Sequence, residues 1–250
     1  MNNSTPNDKA WYRHWFNQEY LEVYGHRSDE AAIKEAKFIE SSLDLTSKDT
    51  LLDIACGNGR HLKYFISQGY QIYGADLSFD LLKVANSPER ASGRVARHDM
   101  RWPCFKQRSF DAVFSIFTSF GYFESDAEHL SQLYEVNKLL KKDGKFFFDF
   151  LNLEYALQNL IPESSKDTSL GKVVEKRAYD QNTRRIIKTI ELVEKQKSFT
   201  ESVRAYSFKE IENMFLDAGL ALVNVYGDFS GSDYNQASSE RLIISAKRYL

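Results

Sequence analysis

The feature that most constrains this chain is a glycine-containing loop between an apolar run and a helical pattern. TLLDIA (residues 50–55) is apolar and of strand length, and GRHLKYFISQ (residues 59–68) repeats its apolar residues at helical spacing. At the junction, Gly57 and Gly59 let a ligand approach the backbone without a Cβ in the way. The first turn of the helix adds free backbone N–H groups and a positive dipole end. The loop therefore predicts a site for a nucleotide-like ligand.

The same alternation of apolar runs and helical patterns continues along the chain. After the first strand, the predicted strands are residues 71–76, 94–99, 110–117, 145–151, 220–229 and 241–248. Strands separated by helical crossovers form a parallel sheet with helices on both faces. The final two runs are joined by about a dozen residues without a helical pattern, so we expect them to be antiparallel neighbours. The sequence thus predicts an α/β fold with a doubly wound, mostly parallel seven-stranded sheet and an antiparallel last strand.

Capping residues indicate where most helices begin. The candidate caps are serines, two of them followed by a glutamate at capping-box spacing: Ser28, Ser78, Ser125 with Glu128, and Ser207 with Glu210. We expect the helix after Ser125 to run to Leu140 and to be ended by Gly144, and the last helix to stop at Gly219. Residues 8–24 also place large aromatic side chains at helical spacing, which predicts a helix before the first serine cap.

On this pattern the chain divides into four segments. They are a helical cap at 1–45, the ligand-binding half of the main domain at 46–152, a β-rich insertion at 153–206, and the C-terminal part of the main domain at 207–250. Residues 171–206 predict a small antiparallel hairpin or meander with a turn at 180–182. Because the insertion follows the fifth strand, we interpret it as a lid or substrate platform, with a dimerisation hairpin as the alternative.

Composition argues against several kinds of site and partner. The two cysteines, Cys56 and Cys104, form no C-x-x-C pair, which argues against a disulfide scaffold or a zinc site, so we predict no metal. The formal net charge of −2 gives no sign of a nucleic-acid partner. We find neither an apolar signal core at the N-terminus nor a window of membrane-spanning length, so we predict a cytoplasmic protein without a membrane partner.

Three residues near the glycine loop bear on the kind of nucleotide. Asp76 ends the second predicted strand, where a carboxylate can accept hydrogen bonds from ribose hydroxyls. Leu62 occupies the place of the third small residue in the dinucleotide fingerprint, which argues against NAD. Asp53 lies at the end of the first strand, close to where a pyrophosphate would be, and a carboxylate there suits a ligand with an amino group.

Four motifs of the chain resemble those of the class I S-adenosylmethionine-dependent methyltransferases. They are D-I-A-C-G-N-G at 53–59, Y-G-A-D-L-S at 73–78, H-D-M at 98–100 and F-D-A-V at 110–113. Their order and spacing match as well, and a terminal antiparallel strand pair distinguishes this family from Rossmann-type dehydrogenases. The runs FTSFGYF and VYGDFSG are similar to a bacterial subgroup that acts on small molecules. The resemblance implies a Rossmann-like methyltransferase fold, S-adenosyl-L-methionine as cofactor and S-adenosyl-L-homocysteine as product.

The resemblance also implies roles for the matching residues. Asp53 would lie near the amino group of the cofactor, Gly57 and Gly59 beside its methionine part, and Asp76 at its ribose hydroxyls. The remaining implied contacts are Leu77, Asp99 and Met100 at the adenine, and Phe117 and Thr118 at the sulfonium. We also expect Ala55 to contact the cofactor in the loop, Arg60 to reach its carboxylate or to be an exposed helix residue, and Tyr24 to lie in the helices that close over it. The structural alternatives are a loop brace for Asp53, a helix cap for Asp76 and a surface turn for Asp99.

The methyl acceptor is expected at the carboxyl ends of the strands, where open α/β sheets bind ligands. Tyr122, Asp149 and Asp228 are the polar candidates for catalysis there, and His26 is a candidate base. Aromatic side chains with the chemistry to enclose a cationic or aromatic ligand are Phe120, Tyr122, Phe229 and Tyr234. The chain lacks the Pro-Pro-aromatic motif that amino-methylating enzymes of DNA, RNA and glutamine carry after the fourth strand.

Together these features predict S-adenosylmethionine-dependent methyl transfer to a nitrogen or oxygen of a small-molecule acceptor. The reaction is an in-line displacement in which alignment carries most of the rate, and a base is needed only for a protonated nucleophile. We expect a monomer or homodimer. Two alternatives remain: a non-catalytic S-adenosylmethionine-binding protein, and an NAD-dependent oxidoreductase, which Leu62 and the terminal strand pair disfavour.

Overall fold

The computed structural model describes residues 10–25 and 28–249, which form two β-sheets. The strands of the larger sheet are β1 (Thr50–Ile54), β2 (Gln71–Asp76), β3 (Val95–Arg97), β4 (Phe110–Ser115), β5 (Leu140–Leu151), β10 (Leu220–Tyr226) and β11 (Arg241–Arg248). The strands of the smaller sheet are β6 (Glu163–Thr168), β7 (Gly171–Asp180), β8 (Arg185–Leu192) and β9 (Lys197–Arg204). The larger sheet has the order β10-β11-β5-β4-β1-β2-β3, with β11 antiparallel to both of its neighbours. The predicted seven-stranded fold is confirmed.

Most of the helices lie between successive strands along the chain. In the described residues they are α1 (Tyr12–Trp15), α2 (Gln18–Val23), α3 (Asp29–Ser42), α4 (Arg60–Ser67), α5 (Phe79–Ala85), α6 (Asp126–Leu139), α7 (Leu153–Gln158) and α8 (Phe208–Asp217). Each serine predicted as a cap accepts a first-turn backbone N–H, and the two predicted capping boxes are complete: Ser28, Ser78, Ser125 and Ser207. None of these helices combines the length and the apolar character needed to cross a membrane.

The end of α6 differs from the prediction. The helix ends at Leu139, and Leu140 is already extended, with φ −70° and ψ 138°. Leu140 is fully buried and pairs with Phe110 of β4, so its apolar side chain starts the next strand and does not extend the helix. Gly144 lies inside β5, where an added Cβ would come within 2.9 Å of the Lys141 carbonyl oxygen. The glycine therefore permits a tight bend in a strand and is not a helix terminator.

The N-terminal segment also differs from the single helix expected over residues 8–24. It forms the two short helices α1 and α2, because Asn17 adopts an extended conformation and its side chain accepts the backbone N–H of Tyr20. Residues 1–9 lie outside the described part of the chain. The break turns the aromatic side chains of both helices towards the smaller sheet and the cavity described below.

The smaller sheet is an antiparallel meander that begins before residue 171, at Glu163. Its apolar face, with Val173, Ile190 and Phe199, forms a buried cluster with the N-terminal aromatics Trp11 and Trp15. The indole of Trp11 donates to the Ser202 carbonyl at 3.1 Å, which joins α1 to β9. The insertion therefore packs against the N-terminal helices, over the carboxyl ends of the main strands.

Candidate active site

A cavity of about 720 Å³ lies between the carboxyl ends of β1, β2 and β4, the N-terminal helices and the smaller sheet. All but one of the residues predicted to contact the cofactor line it. They are Tyr24, Asp53, Ala55, Gly57, Arg60, Asp76, Leu77, Asp99, Met100, Phe117 and Thr118. Tertiary structure thus gathers residues from five separate stretches of sequence around one space.

The glycine loop is held by the neighbouring strand. The backbone N–H groups of Ala55 and Cys56 both donate to the Ala75 carbonyl, at 2.7 and 2.9 Å. Ala55 and Gly57 have positive φ angles of 83° and 55°, which turn the chain away from β1 and into α4. The loop therefore presents its backbone to the cavity in a fixed conformation.

Gly59 is the exception among the predicted cofactor residues, because it does not line the cavity. It is the N-cap of α4 at φ 78°, and an added Cβ would lie 3.0 Å from the Cβ of Ala85 in α5. This glycine serves the close approach of two helices. Leu62, which replaces the third small residue of the dinucleotide fingerprint, is accommodated by Gly74: a Cβ at position 74 would lie 2.5 Å from its Cδ1 atom.

Asp53 is a buried carboxylate that faces the cavity. Its exposed fraction is 2%, and in the described part of the chain its side chain accepts no hydrogen bond. Burial raises the pKa of Asp53 to about 6, and the nearby charge of Asp76 adds to that effect, while His61 and Arg60 oppose it. A buried carboxylate without a hydrogen-bond donor has the chemistry to bind a cationic group. It does not brace the loop.

Asp76 has a different environment from Asp53. One carboxylate oxygen accepts the backbone N–H of Gly57 at 2.9 Å, and the other accepts that of Ser78 at 2.8 Å. Burial raises its pKa, against the lowering effect of these hydrogen bonds. The hydroxyl of Ser78, and not Asp76, caps α5. Asp76 therefore ties the glycine loop to the next helix while its carboxylate lines the cavity.

Asp99 is paired within the protein. The guanidinium of Arg101 binds it in two places, at 3.0 and 2.7 Å, and also reaches Glu128 at 2.9 Å. Burial acts to raise the pKa of Asp99, but the hydrogen bonds and charge of Arg101 prevail and lower it. Beside it, His98 lines the cavity and its Nδ1 atom is buried without a partner. In the sequence, no role was assigned to Arg101, nor to His98, although His98 begins the H-D-M motif.

Phe117 and Thr118 form a sharp corner after β4, with φ angles of 58° and 62°. Asp149 holds this corner: its Oδ2 accepts the Phe117 N–H at 2.7 Å, and its backbone carbonyl accepts the Thr118 N–H at 3.1 Å. Arg241 donates to Asp149 Oδ1 at 2.7 Å and to Thr118 Oγ1 at 3.0 Å. Asp149 is fully buried and does not line the cavity. The prediction that Asp149 is a catalytic group is therefore wrong: the residue lies behind the cavity wall and holds the corner in place.

Asp228 also lies outside the cavity lining. Its Oδ1 accepts the backbone N–H groups of Ser230 and Ser232, at 2.7 and 3.2 Å, so it shapes its own loop. Three aromatic residues expected near the acceptor are likewise placed elsewhere. Phe120 packs on Phe148, Phe229 on Phe38 and Phe147, and Tyr234 on Phe208. The sequence around these three residues has no periodic pattern that would show which way their side chains point. His26 falls outside the described residues.

Tyr122 does line the cavity, as part of an aromatic wall that the sequence did not reveal in full. The wall consists of Tyr122, Trp11, Phe16, Tyr20 and Tyr24, which follow one another at ring-centroid distances of 4.9, 5.6, 5.0 and 4.7 Å. The smaller sheet adds Lys188, Glu201 and Val203 to the lining. In the sequence, Lys188 and Glu201 are typical of the solvent-exposed face of a strand. No local pattern therefore indicates that they line a cavity.

Within residues 10–25 and 28–249, no three histidine, cysteine, aspartate or glutamate side chains are grouped closely enough to hold a metal ion.

Arg60 lines the cavity near the loop, with its guanidinium 5.2 Å from the Phe117 ring centroid and one nitrogen donating to the Ser28 carbonyl. The cavity thus combines a polar end at the glycine loop with an aromatic end under the insertion.

Known proteins resemble this chain in sequence. Residues 52–148 match the family model described as a methyltransferase domain. YqeM of Bacillus subtilis, provisionally named a methyltransferase, is 25% identical over 242 residues, which are 92% of this chain and 96% of that protein. The dTDP-3-amino-3,4,6-trideoxy-alpha-D-glucopyranose N,N-dimethyltransferase of Streptomyces venezuelae is 36% identical over 81 residues, 32% of each chain.

The fold is also found among solved structures. An S-adenosylmethionine-dependent methyltransferase from Clostridium acetobutylicum aligns over 92% of this chain and 96% of its own, with a TM-score of 0.75 and 21% identity. The family match, the relatives and the shared fold confirm the resemblance carried by the four sequence motifs. Residues 52–148 thus match a methyltransferase domain, and the chain as a whole is similar in sequence and fold to S-adenosylmethionine-dependent methyltransferases.

Proposed function

We propose that the protein transfers the methyl group of S-adenosylmethionine to a nitrogen or oxygen of a small-molecule acceptor bound in the cavity. The observation that carries this proposal is the continuity of the cavity, which runs from the glycine loop to the insertion. Its volume of about 720 Å³ is in the range of small-molecule sites. The two ends differ in chemistry, as a cofactor and a separate acceptor require.

The polar end suits the cofactor. The buried carboxylate of Asp53, which lacks a donor in the described protein, fits the cofactor's ammonium group. Gly57 leaves room for the methionine part, Arg60 is placed to meet a carboxylate, and Asp76 retains acceptor capacity for ribose hydroxyls. Asp99 and His98 line the part of the cavity where the adenine would lie.

The aromatic end suits the acceptor. S-adenosylmethionine supplies an electrophilic methyl group on a sulfonium, so the protein's task is to align a nucleophile with it. Phe117 and Thr118, fixed from behind by Asp149, form the wall at the junction of the two ends. Tyr122 and the insertion cover the acceptor and exclude water. The name of the Streptomyces venezuelae relative supports nitrogen as one acceptor atom of such enzymes.

Calorimetric titration with S-adenosylhomocysteine tests the cofactor half, with NADH as the control ligand. We expect saturable binding of S-adenosylhomocysteine alone. In the Asp76→Ala variant, loss of the acceptor for the ribose hydroxyls and for the Gly57 N–H should weaken binding by roughly 1–3 kcal/mol. Binding of NADH instead, or unchanged affinity in the variant, would contradict the assignment. Protein that binds neither ligand would favour a fold that has lost its cofactor.

A further inference from the structure

Glu201 is a carboxylate of the insertion that faces the cavity in a fixed orientation. It lies on β9, and its Oε1 atom accepts hydrogen bonds from the Trp15 indole at 2.6 Å and from the Tyr24 hydroxyl at 2.9 Å. Burial and the charge of Glu201 raise the pKa of Tyr24 far above its usual range, so the phenol stays a neutral donor. Two donors on one oxygen leave the other oxygen pointing elsewhere.

That other oxygen, Oε2, accepts no hydrogen bond from the described residues. Its nearest charged neighbour is the Lys188 ammonium at 4.0 Å, which is beyond hydrogen-bond distance. Lys188 has partners of its own: it lies 3.2 Å from Glu175 and donates to the Tyr24 hydroxyl. Glu175 also pairs with Lys166 and Arg177, so its one charge is shared by three cations. Because the Lys188 ammonium does not donate to Oε2, Glu201 keeps an acceptor oxygen for a cavity ligand.

The surroundings of Glu201 favour a cationic group. The aromatic wall from Tyr122 to Tyr24 borders the same cavity and ends at the residue that donates to Glu201. The Tyr24 ring already lies against the ammonium groups of Lys188 and Lys166, at 4.8 and 5.2 Å from its centroid. The rings from Tyr122 to Tyr20 are therefore the ones that attract a ligand's ammonium group, and the carboxylate beyond them adds a charge-assisted hydrogen bond. A neutral hydroxyl would gain less from either feature.

Glu201 is also connected to the point of methyl transfer. It and Val203 are two residues apart on β9, so they share one face of the strand, and both line the cavity. The next residue, Arg204, donates its N–H to the Gly121 carbonyl at 2.8 Å, in the loop that follows Thr118. The strand therefore runs from the carboxylate to the corner placed at the transferable methyl.

We infer that the methyl acceptor is an amine, and that its nitrogen donates a hydrogen bond to Glu201 Oε2 while the aromatic wall borders its charge. The inference rests on the proposed methyltransferase function of the same cavity. It assigns to Glu201 the selection of amines over alcohols, a role that no motif of the sequence indicates.

The step balances with the groups present. An acceptor bound as an ammonium ion first gives one proton to water. The lone pair of the resulting neutral amine forms the new N–C bond while the C–S bond breaks and its electron pair stays on sulfur, giving S-adenosylhomocysteine. Positive charge passes from sulfur to nitrogen, beside the Glu201 carboxylate. The nitrogen then loses its proton to water, and no oxidant or other reactant is needed.

Glu201→Gln tests this assignment with little change in shape. The glutamine carbonyl can still accept from Trp15 and Tyr24, while an amide NH₂ replaces Oε2, the oxygen that accepts no hydrogen bond from the described residues. Glu191→Gln is the matched control, since Glu191 is on the adjacent strand β8 and pairs with Lys176 at an exposed site. The probes are phenethylamine with 2-phenylethanol, cyclohexylamine with cyclohexanol, and glucosamine with glucose, each titrated by calorimetry into protein saturated with S-adenosylhomocysteine.

We expect at least one amine to bind about tenfold more tightly than its hydroxyl partner. The preference should disappear in Glu201→Gln, and it should persist in Glu191→Gln. Equal binding of amines and alcohols, a preference that survives Glu201→Gln, or no amine binding at all would overturn the amine assignment. Because saturation with S-adenosylhomocysteine is measured first, its absence would contradict the proposed function separately.

Discussion

At the scale of single residues, three aspartates around the cavity differ because their partners differ. Asp53 accepts no hydrogen bond within the described residues, Asp76 accepts two backbone N–H groups, and Asp99 is paired with Arg101. Identical side chains therefore have different tasks. The buried Asp53 carboxylate has a stability cost in the ligand-free protein, which a cationic ligand would offset.

Asp53→Asn is expected to stabilise the ligand-free protein at neutral pH. The folded-state pKa of Asp53, about 6, lies above the ordinary aspartate pKa of about 3.9, so ionising this group opposes folding. The cost is absent below the lower pKa, grows as the pH rises through this interval, and reaches at most about 3 kcal/mol at neutral pH. Urea unfolding of both proteins between about pH 4 and pH 8 measures it.

The same substitution should weaken S-adenosylhomocysteine binding by about tenfold, because the ligand's ammonium loses a charged acceptor. The exposed Asp80 of α5 provides the control variant Asp80→Asn, for which neither stability nor binding should change. If the free energy of unfolding changes with pH in the same way for the wild-type protein and Asp53→Asn, ionisation of Asp53 does not cause the pH dependence of stability.

At the scale of secondary-structure elements, one arginine fastens the loop after β4 to the insertion. Arg185 of β8 donates to the carbonyls of Gly121 at 3.0 Å, Tyr122 at 3.2 Å and Phe123 at 3.0 Å, and also to Ser202 of β9. The loop carries Tyr122 into the cavity wall. The position of this side chain thus depends on a contact between two elements distant in sequence.

Arg185→Lys is expected to lower turnover roughly 10- to 100-fold, since one ammonium cannot reach three carbonyls and the acceptor wall loses its alignment. Affinity for S-adenosylhomocysteine should stay within about twofold, because the cofactor residues do not depend on this contact. Steady-state kinetics and calorimetry provide the two readouts. Arg184→Lys, at a partly exposed ion pair with Glu210, is the control. Equal losses in both variants would argue against the alignment role.

At the scale of the whole molecule, the last strand is connected to the cofactor half through a buried ion pair. Arg241 begins β11, and Asp149 lies on β5, which β11 joins in antiparallel pairing. Their contact fixes the Phe117–Thr118 corner, whose positive φ angles are costly for residues with a Cβ. The C-terminal segment therefore determines the shape of a wall built by the N-terminal half.

Asp149→Asn is expected to destabilise the protein by about 2–4 kcal/mol, because it leaves the Arg241 guanidinium without its buried counter-charge. Asp111→Asn is a suitable comparison, since Asp111 pairs with Lys141 at a more exposed site and should cost about 1 kcal/mol or less. Chemical denaturation of the three proteins measures the difference. If Asp149→Asn lowers the free energy of unfolding by less than Asp111→Asn does, the Asp149–Arg241 pair does not stabilise the protein as proposed.

The sequence by itself determined the features that depend on near neighbours in the chain. Apolar runs specify the strands because both faces of a parallel sheet are buried. Ser125 and Ser207 specify helix starts because the cap and its partners lie within one turn. Gly57 and Asp53 follow directly from the end of β1, and both line the cavity, whereas Gly59 of the same loop does not. Their contacts with the cofactor stay a prediction.

Only the tertiary structure decided which distant side chains meet. Trp15 and Glu201 are 186 residues apart, and nothing in the local pattern of either shows that they bond. Asp149 was predicted to line the cavity because it lies near the end of a strand. In the structure it is hydrogen-bonded to Arg241 and lies behind the cavity wall. Asp228 was predicted to face the cavity only because its loop follows a strand of the sheet. In the structure, its side chain accepts the backbone N–H of Ser230 in the same loop. Local periodicity fixes which elements form, but the direction of a side chain depends on partners that only packing brings within hydrogen-bond distance.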